Sequence, residues 1–269
     1  MKIGCLSDEL SPAPRLACEL AALYGLDYLE LRMWFNHRAP LGMREADMLE
    51  TRKIADEWGL SYPSISPGLF KLPPDSTERE RHAGELFERS LDLCEVLGAK
   101  VMVSFTPIVP EEDRGKWDGR LLEEFRAMGE QAQARGVTIA IENEPVCVAS
   151  SAPLVAQLVS EIRHPAVKMN YDPGNDASSG QSTGPQAFPV VKPHLVHVHV
   201  KDYVRGVGGH RVADVGEGDS DWRYILRQLR DISYSGLLIL EPHNVPQMVS
   251  SQRAVLALRR LLAETGVEW

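Results

Sequence analysis

The chain has 269 residues, of which 43% are hydrophobic and 25% charged, an ordinary composition for a globular protein with a sizeable core. The formal net charge of -9 argues against a surface that binds nucleic acid, and no segment has the ~20 apolar residues of a membrane helix. The start, MKIGCLSDEL, lacks the apolar region of a signal peptide, and the four cysteines show no CxxC spacing. We therefore expect free thiols and a cytoplasmic location.

Short apolar or β-branched runs alternate with helical segments along the whole chain. The predicted strands lie in KIGCLS, DYLELR, SYPSIS, AKVMVSF, VTIAIENE, AVKMNYD, HLVHVHVKD and GLLILEP. The predicted helices cover residues 12–24, 44–58, 77–97, 117–135, 151–162, 184–191, 221–231 and 247–264. Eight such units predict a single (β/α)8 TIM barrel over residues 1–269. The alternative, a doubly wound open sheet, lacks support because neither GxGxxG nor GxxxxGK[ST] occurs.

Several predicted strands carry polar residues at every second position. In LVHVHVKDY, His197, His199 and Lys201 share one face of the strand and valines occupy the other. The strand TIAIENE places Glu142 on such a face, VKMNYD places Asp172 there, and LLILEP ends in Glu241. If the apolar faces pack against helices, the polar faces point into the barrel, towards the end of the strands where TIM-barrel enzymes have their active sites.

Glu142, Asp172, His199 and Glu241 are therefore predicted to converge at the barrel mouth. Unpaired buried carboxylates are costly, so either their pKa values rise or a cation lies among them. Three carboxylates and one imidazole suit Mn²⁺, Mg²⁺ or Co²⁺, with Zn²⁺ and Fe²⁺ as further possibilities. The alternative is pairing with cationic side chains, for which three are available: Arg32, Lys168 and Lys201. We expect His197 to be a satisfied core histidine one layer deeper.

The motifs IENEP, MNYDPGN, HVHVKD, GEGDSDW and GLLILEPHN, in this order, resemble the sugar phosphate isomerase/epimerase superfamily of xylose-isomerase-like TIM barrels. The resemblance implies that Glu142, Asp172, His199 and Glu241 hold one divalent metal and that Glu142 and Glu241 move protons. It also implies that Arg205 contacts a small carbohydrate substrate, and we add Asn175 and Lys201 as substrate-binding candidates. Proteins of this group commonly form homo-oligomers.

Two positions depart from the ketohexose 3-epimerases of this superfamily. Asn175 replaces a histidine three residues after the metal aspartate, and Val148 replaces a glutamate six residues after the metal glutamate. These departures argue against a free ketohexose as substrate. The long segment RGVGGHRVADVGEGDSDW after the seventh strand contains Arg205, His210 and Arg211, which could form a phosphate or carboxylate clamp or a solvated lid.

The predicted function is a metal-dependent isomerase or epimerase that acts on a sugar, sugar phosphate or related keto compound through a metal-stabilised enediolate. A dehydratase acting on a cyclic polyol ketone or keto acid could use the same site. Two other classes have less support. Apurinic endonucleases share the architecture but need three zinc ions and more histidines, and a metal-free binding protein would leave the quartet without a purpose.

Overall fold

The computed structural model describes residues 1–269 and contains a closed barrel of eight parallel strands, each hydrogen-bonded to its neighbours in the chain. The first and last strands pair with each other, Lys2 opposite Leu237 and Cys5 opposite Leu240, and this pairing closes the ring. The strands are β1 (Lys2–Leu6), β2 (Tyr28–Leu31), β3 (Ser61–Leu69), β4 (Val101–Ser104), β5 (Thr138–Glu142), β6 (Val167–Tyr171), β7 (Leu195–Val200) and β8 (Leu237–Leu240). The predicted single (β/α)8 TIM barrel is confirmed.

Eight helices follow the eight strands, as the sequence predicts. They are α1 (Pro14–Leu23), α2 (Glu45–Glu57), α3 (Glu85–Leu97), α4 (Gly119–Ala134), α5 (Ala152–Ile162), α6 (Phe188–Val191), α7 (Trp222–Asp231) and α8 (Gln247–Thr265). Helix α4 begins where the Asp118 side chain accepts a hydrogen bond from the amide of Leu121 at 3.1 Å. Helix α3 ends at Gly98, which has a left-handed φ of 74°. None of the helices is long and apolar enough to cross a membrane.

Apolar residues on the outer faces of the strands form one core with the helices. Ile139 and Ile141 of β5, with Val198 and Val200 of β7, belong to a continuous cluster of 60 buried residues. The polar residues that alternate with them point into the barrel and are also buried. The structure thus confirms the predicted division of the strands into two faces. All four cysteines are free and buried, as expected.

Several short elements after the strands were missed in the sequence. A helix at Ser7–Leu10 follows β1, a helix at Pro173–Ser178 follows β6, and a small hairpin of Met33–Trp34 and His37–Arg38 follows β2. The predicted helix 77–97 is interrupted, because the short helix Arg79–Ala83 precedes α3. The first part of the long segment after β7 is a hairpin of Asp202–Gly206 and Gly209–Ala213.

Candidate metal and active site

Four side chains predicted as metal ligands meet at the C-terminal mouth of the barrel. One ligand atom from each of Glu142, Asp172, His199 and Glu241 can be chosen so that all four lie within 4.8 Å of one another. Nδ1 of His199 lies 3.1 Å from Oε2 of Glu142 and 3.4 Å from Oε2 of Glu241. All four residues are buried. The alternation of polar residues on β5, β6, β7 and β8 therefore does bring these groups together.

His199 presents one ring nitrogen to this cluster and uses the other to bind Glu30. Its Nε2 lies 2.9 Å from Oε1 of Glu30, and the other oxygen of Glu30 lies 2.7 Å from Nε2 of His197. Burial disfavours the charged ring, but Glu142 and Glu30 outweigh it and raise the pKa of His199 well above its ordinary value. Because Glu30 accepts the Nε2 proton, a metal ion would displace the Nδ1 proton, and the freed lone pair would face the three carboxylates. This Nδ1 atom is buried and has no hydrogen-bond partner. His197 is buried, as predicted, but it is only half satisfied: Nε2 contacts Glu30, whereas Nδ1 is buried without a hydrogen-bond partner.

Two asparagine amides hold Glu142. Nδ2 of Asn170 donates to Oε2 of Glu142 at 3.0 Å, and Nδ2 of Asn175 donates to Oε1 at 3.0 Å. Although burial raises the pKa of a carboxyl group, His199 outweighs it and lowers the pKa of Glu142 from its ordinary value. Glu142 is thus an ionised carboxylate with both oxygens fixed by neutral donors.

Glu241 has a more cationic environment than Glu142. Its Oε1 atom accepts a hydrogen bond from Arg32 and lies 3.0 Å from Nε2 of His243, while its Oε2 atom lies 3.0 Å from Nζ of Lys201. Burial opposes ionisation, but Lys201 and His243 outweigh it and hold the pKa of Glu241 well below its usual range. The two glutamates of the site are therefore electrostatically unequal.

Lys201 also contacts Asp172, at 2.8 Å from Nζ to Oδ2, so one ammonium group lies between two of the four ligands. A close approach of backbone makes this possible, because a Cβ atom at Gly174 would lie 2.5 Å from Cγ of Lys201. Burial raises the pKa of Asp172 to about 7, although Lys201 opposes the shift. The pairing with cations that the sequence left as an alternative thus occurs here, beside the convergent quartet.

The charge balance indicates that the residues fit a further cation. Ion pairs connect six buried carboxylates, and the only permanent cations within salt-bridge distance of them are Arg32 and Lys201. The six are Asp8, Glu9, Glu30, Glu142, Asp172 and Glu241. Three carboxylate oxygens and the Nδ1 atom of His199, once deprotonated, are ligands that Mg²⁺, Mn²⁺ or Co²⁺ accepts. We conclude that Glu142, Asp172, His199 and Glu241 could hold one such ion.

A cavity of about 340 Å³ opens above the quartet, the size of a small-molecule binding site. Its lining is mainly polar or charged and includes Glu142, His199, Lys201 and Glu241. The lining residues not discussed so far are Met33, Arg38, Ser66, Lys71, Phe105 and Glu144. A cavity with so many charged groups suits a polar ligand rather than an apolar one.

The three substrate-binding candidates lie in different places. Lys201 lines the cavity. Asn175 is buried and holds Glu142, donating in addition to the backbone oxygen of Asn143 at 2.8 Å. Arg205 is exposed on the hairpin after β7, where its guanidinium lies against Gly180, and it does not line the cavity. His210 is exposed on the same hairpin.

Sequence reasoning missed Glu30 and His243 as parts of this site and named Arg32 only as a possible partner for the carboxylates. The alternation in DYLELR placed Glu30 and Arg32 on one polar face, which was a usable signal. Their partners lie far along the chain: Glu30 contacts His197, 167 residues away, and Arg32 contacts Glu241, 209 residues away. His243 lies just beyond β8 with a left-handed φ of 51°, which nothing in the sequence indicated.

A sequence profile described as xylose isomerase-like TIM barrel matches residues 18–266. The chain belongs to this family. The chain is 22% identical over 253 residues to a curated protein, the inosose dehydratase of Clostridium perfringens. The match covers 82% of this chain and 80% of the dehydratase.

Two solved structures show the same fold as this xylose isomerase-like barrel. A xylose isomerase-like TIM barrel protein from Mycobacterium smegmatis in complex with magnesium has a TM-score of 0.78 at 17% identity, covering 98% of this chain and 97% of that one. D-allulose 3-epimerase from Methylomonas sp. in complex with D-allulose has a TM-score of 0.77 at 15% identity, covering 97% of this chain and 96% of that one. The inosose dehydratase and the D-allulose 3-epimerase are enzymes.

Proposed function

We propose that this protein is a divalent-metal-dependent isomerase or epimerase that moves a proton next to the carbonyl group of a polyhydroxylated compound. One observation carries the proposal: Glu142 and Glu241 flank the Nδ1 atom of His199 at 3.1 and 3.4 Å, beneath a polar cavity. A metal ion held by Glu142, Asp172, His199 and Glu241 would polarise the carbonyl group and so acidify the neighbouring C–H bond.

Glu142 is the better of the two glutamates as the base. It is ionised, buried and fixed by Asn170 and Asn175, so its free lone pairs keep one orientation towards the cavity. Glu241 shares its charge with Arg32, His243 and Lys201. In an isomerase Glu142 would return the proton to the adjacent carbon. In an epimerase Glu241, which is ionised at rest, would first take up a proton from His243 at 3.0 Å and then deliver it to the opposite face of the same carbon.

Dehydration of a polyol ketone is the second candidate, and the inequality of the two glutamates favours it. Elimination needs one base and one acid rather than two equivalent bases. Glu142 would remove the C–H proton, and His243, half-exposed at the cavity rim and 3.0 Å from Glu241, would protonate the departing hydroxyl group, which leaves as water. The similarity to inosose dehydratase supports this candidate as well.

Turnover in deuterated water separates the two candidates. Protein loaded with Mn²⁺, Mg²⁺ or Co²⁺ is incubated with keto-sugars, sugar phosphates and inosose-like ketones, and products are identified by NMR and mass spectrometry. An isomerase or epimerase gives a product of unchanged composition that carries deuterium, whereas a dehydratase gives a product that has lost water.

The variant Glu142→Gln tests the assignment of the base. Loss of a positioned general base should reduce the rate of exchange by at least about a hundredfold. Glu19→Gln is the matched control, because Glu19 is exposed on α1 and forms no salt bridge. Exchange at the wild-type rate in Glu142→Gln would show that another group removes the proton.

A further inference from the structure

Cationic side chains line the cavity from several strands, and all but one of them have carboxylate partners. Lys71 pairs with Glu144 at 2.6 Å, Lys201 pairs with Asp172 and Glu241, and Arg32 pairs with Asp8, Glu9 and Glu241. Arg38 lines the same cavity and forms no salt bridge. It is the one permanent cation of the lining with no carboxylate within salt-bridge distance, and only the longer-range charges of Asp8, Glu241 and Glu142 favour its ionised form.

The fold holds the guanidinium of Arg38 in place without neutralising it. Arg38 ends the small hairpin after β2, paired with Met33, and its Nη1 atom donates to the backbone oxygen of Ser66 at 3.3 Å. The side chain lies against Gly68, where a Cβ atom would be 2.9 Å from Cδ and 3.1 Å from Nη1 of Arg38. Gly68 also has a φ of +77°, so the backbone there both requires a glycine and leaves room for the arginine.

Arg38 is half-buried, and its surroundings are electrostatically unfavourable for an unpaired cation. Burial and the neighbouring charge of Arg32 lower the pKa of Arg38 from its ordinary value, while the guanidinium stays protonated. A guanidinium has five N–H donors in a planar fork, and the backbone oxygen of Ser66 uses only one side of it. The remaining donors are available for a ligand.

We propose that Arg38 binds a carboxylate or phosphate group of the substrate, so that the substrate is an acidic or phosphorylated polyhydroxy carbonyl compound rather than a neutral sugar. An oxyanion matches the fork of donors and would give Arg38 the direct ion pair that the protein does not supply. The inference rests on the proposed function, because it takes the cavity above Glu142 and Glu241 as the substrate site. It places the anion site at Arg38 rather than at Arg205, His210 and Arg211, which the sequence offered as one of two possibilities for the segment after β7.

Anion binding without turnover tests the proposal. Inorganic phosphate and acetate are titrated calorimetrically into magnesium-loaded protein and again into chelator-treated protein, so that binding through a metal ion is distinguished from binding to the side chain. We expect wild-type protein to bind at least one anion in both states, and Arg38→Gln to bind it about ten- to one-hundredfold more weakly, the effect of losing charge-assisted hydrogen bonds. The preferred anion tells a carboxylate group from a phosphate group.

Two further variants keep the result interpretable. Arg227→Gln removes an exposed arginine of α7 that forms no salt bridge, and its anion affinity should equal that of the wild type. Arg38→Lys retains the positive charge but not the planar fork of donors, so it should bind anions with intermediate affinity. This variant provides the test if Arg38→Gln does not fold. Equal affinities in wild type, Arg38→Gln and Arg227→Gln, or no binding by the wild type, would overturn the proposal. Because no step measures catalysis, failure of the deuterium-exchange experiment leaves this result unaffected.

Discussion

Replacement of Glu30 by glutamine should weaken metal binding although Glu30 is not itself one of the four ligands. Glu30 bridges His197 and His199 at 2.7 and 2.9 Å, and all three residues are at most 1% exposed. Burial opposes ionisation, but His199 and His197 outweigh it and lower the pKa of Glu30 far below its ordinary value. A full negative charge therefore stands behind the imidazole that presents Nδ1 to the metal ligands.

A glutamine has one acceptor and one donor where Glu30 has two acceptors. Its NH₂ group would meet an N–H group of one of the two histidines, so one imidazole must change its tautomer. If that imidazole is His199, its Nδ1 atom carries the proton and cannot bind a metal ion. If it is His197, the ring of His199 still loses the negative charge of Glu30, which increases its basicity. Loss of such a supporting carboxylate reduces metal affinity about 10- to 100-fold, or about 1.4 to 3 kcal/mol.

Calorimetric titration of Mn²⁺ into chelator-treated protein measures this effect directly. The control is again Glu19→Gln, which removes an equal charge from the surface of α1. Thermal unfolding of both metal-free variants shows whether the barrel remains folded. An unchanged Mn²⁺ dissociation constant in folded Glu30→Gln would refute the view that Glu30 fixes the tautomer of His199.

Two further predictions concern stability. Lys201→Met leaves Asp172 and Glu241 without their shared cation, so the free energy of unfolding of the metal-free protein should fall by about 3 to 5 kcal/mol. Mn²⁺ should raise the calorimetric Tm of this variant more than that of the wild type. An equal rise would contradict the role of Lys201. Burial raises the pKa of Asp176 from its ordinary 3.8 to about 7, and its Oδ2 atom has no partner. The folded state therefore favours protonated Asp176. Its contribution to the free energy of unfolding is fully present below about pH 4 and is lost as the pH rises towards 7. Asp176→Asn should remove this decline, so that urea unfolding at pH 8 shows it to be more stable than the wild type by a few kcal/mol. If the free energies of unfolding of the two proteins vary in parallel with pH, Asp176 is not the group responsible.

The alternation of residues predicted which side chains face the barrel interior, and the order of strands predicted the ligand quartet. Both follow from local geometry, since side chains alternate along a strand and parallel strands end at one edge. The contacts of Glu30 with the two histidines were not predictable in this way. They depend on the stagger between strands around the ring, which sets which layers of residues share a height, and no local pattern encodes that stagger.

The outcome for Lys201 shows a second limit. Parity placed Lys201 on the inner face with His197 and His199, but two functions were open to it, a substrate contact and a partner for carboxylates. Its contacts with Asp172 and Glu241 depend on how closely the backbone at Gly174 approaches the side chain of Lys201. That distance is set by the short helix after β6. Arg38 was missed for the same reason, since its position depends on a hairpin of only four paired residues.

The network around Arg32 lies across the seam where the first and last strands of the barrel meet. Arg32 follows β2 and contacts Asp8 and Glu9 just beyond β1, and it reaches Glu241 at the end of β8. The two ends of the polypeptide must therefore have docked before this arginine acquires its full set of anions. A nascent chain released without its final strand would lack Glu241, one of the four proposed metal ligands, and would leave Arg32 with fewer anions, so the candidate site is complete only in molecules whose ring has closed.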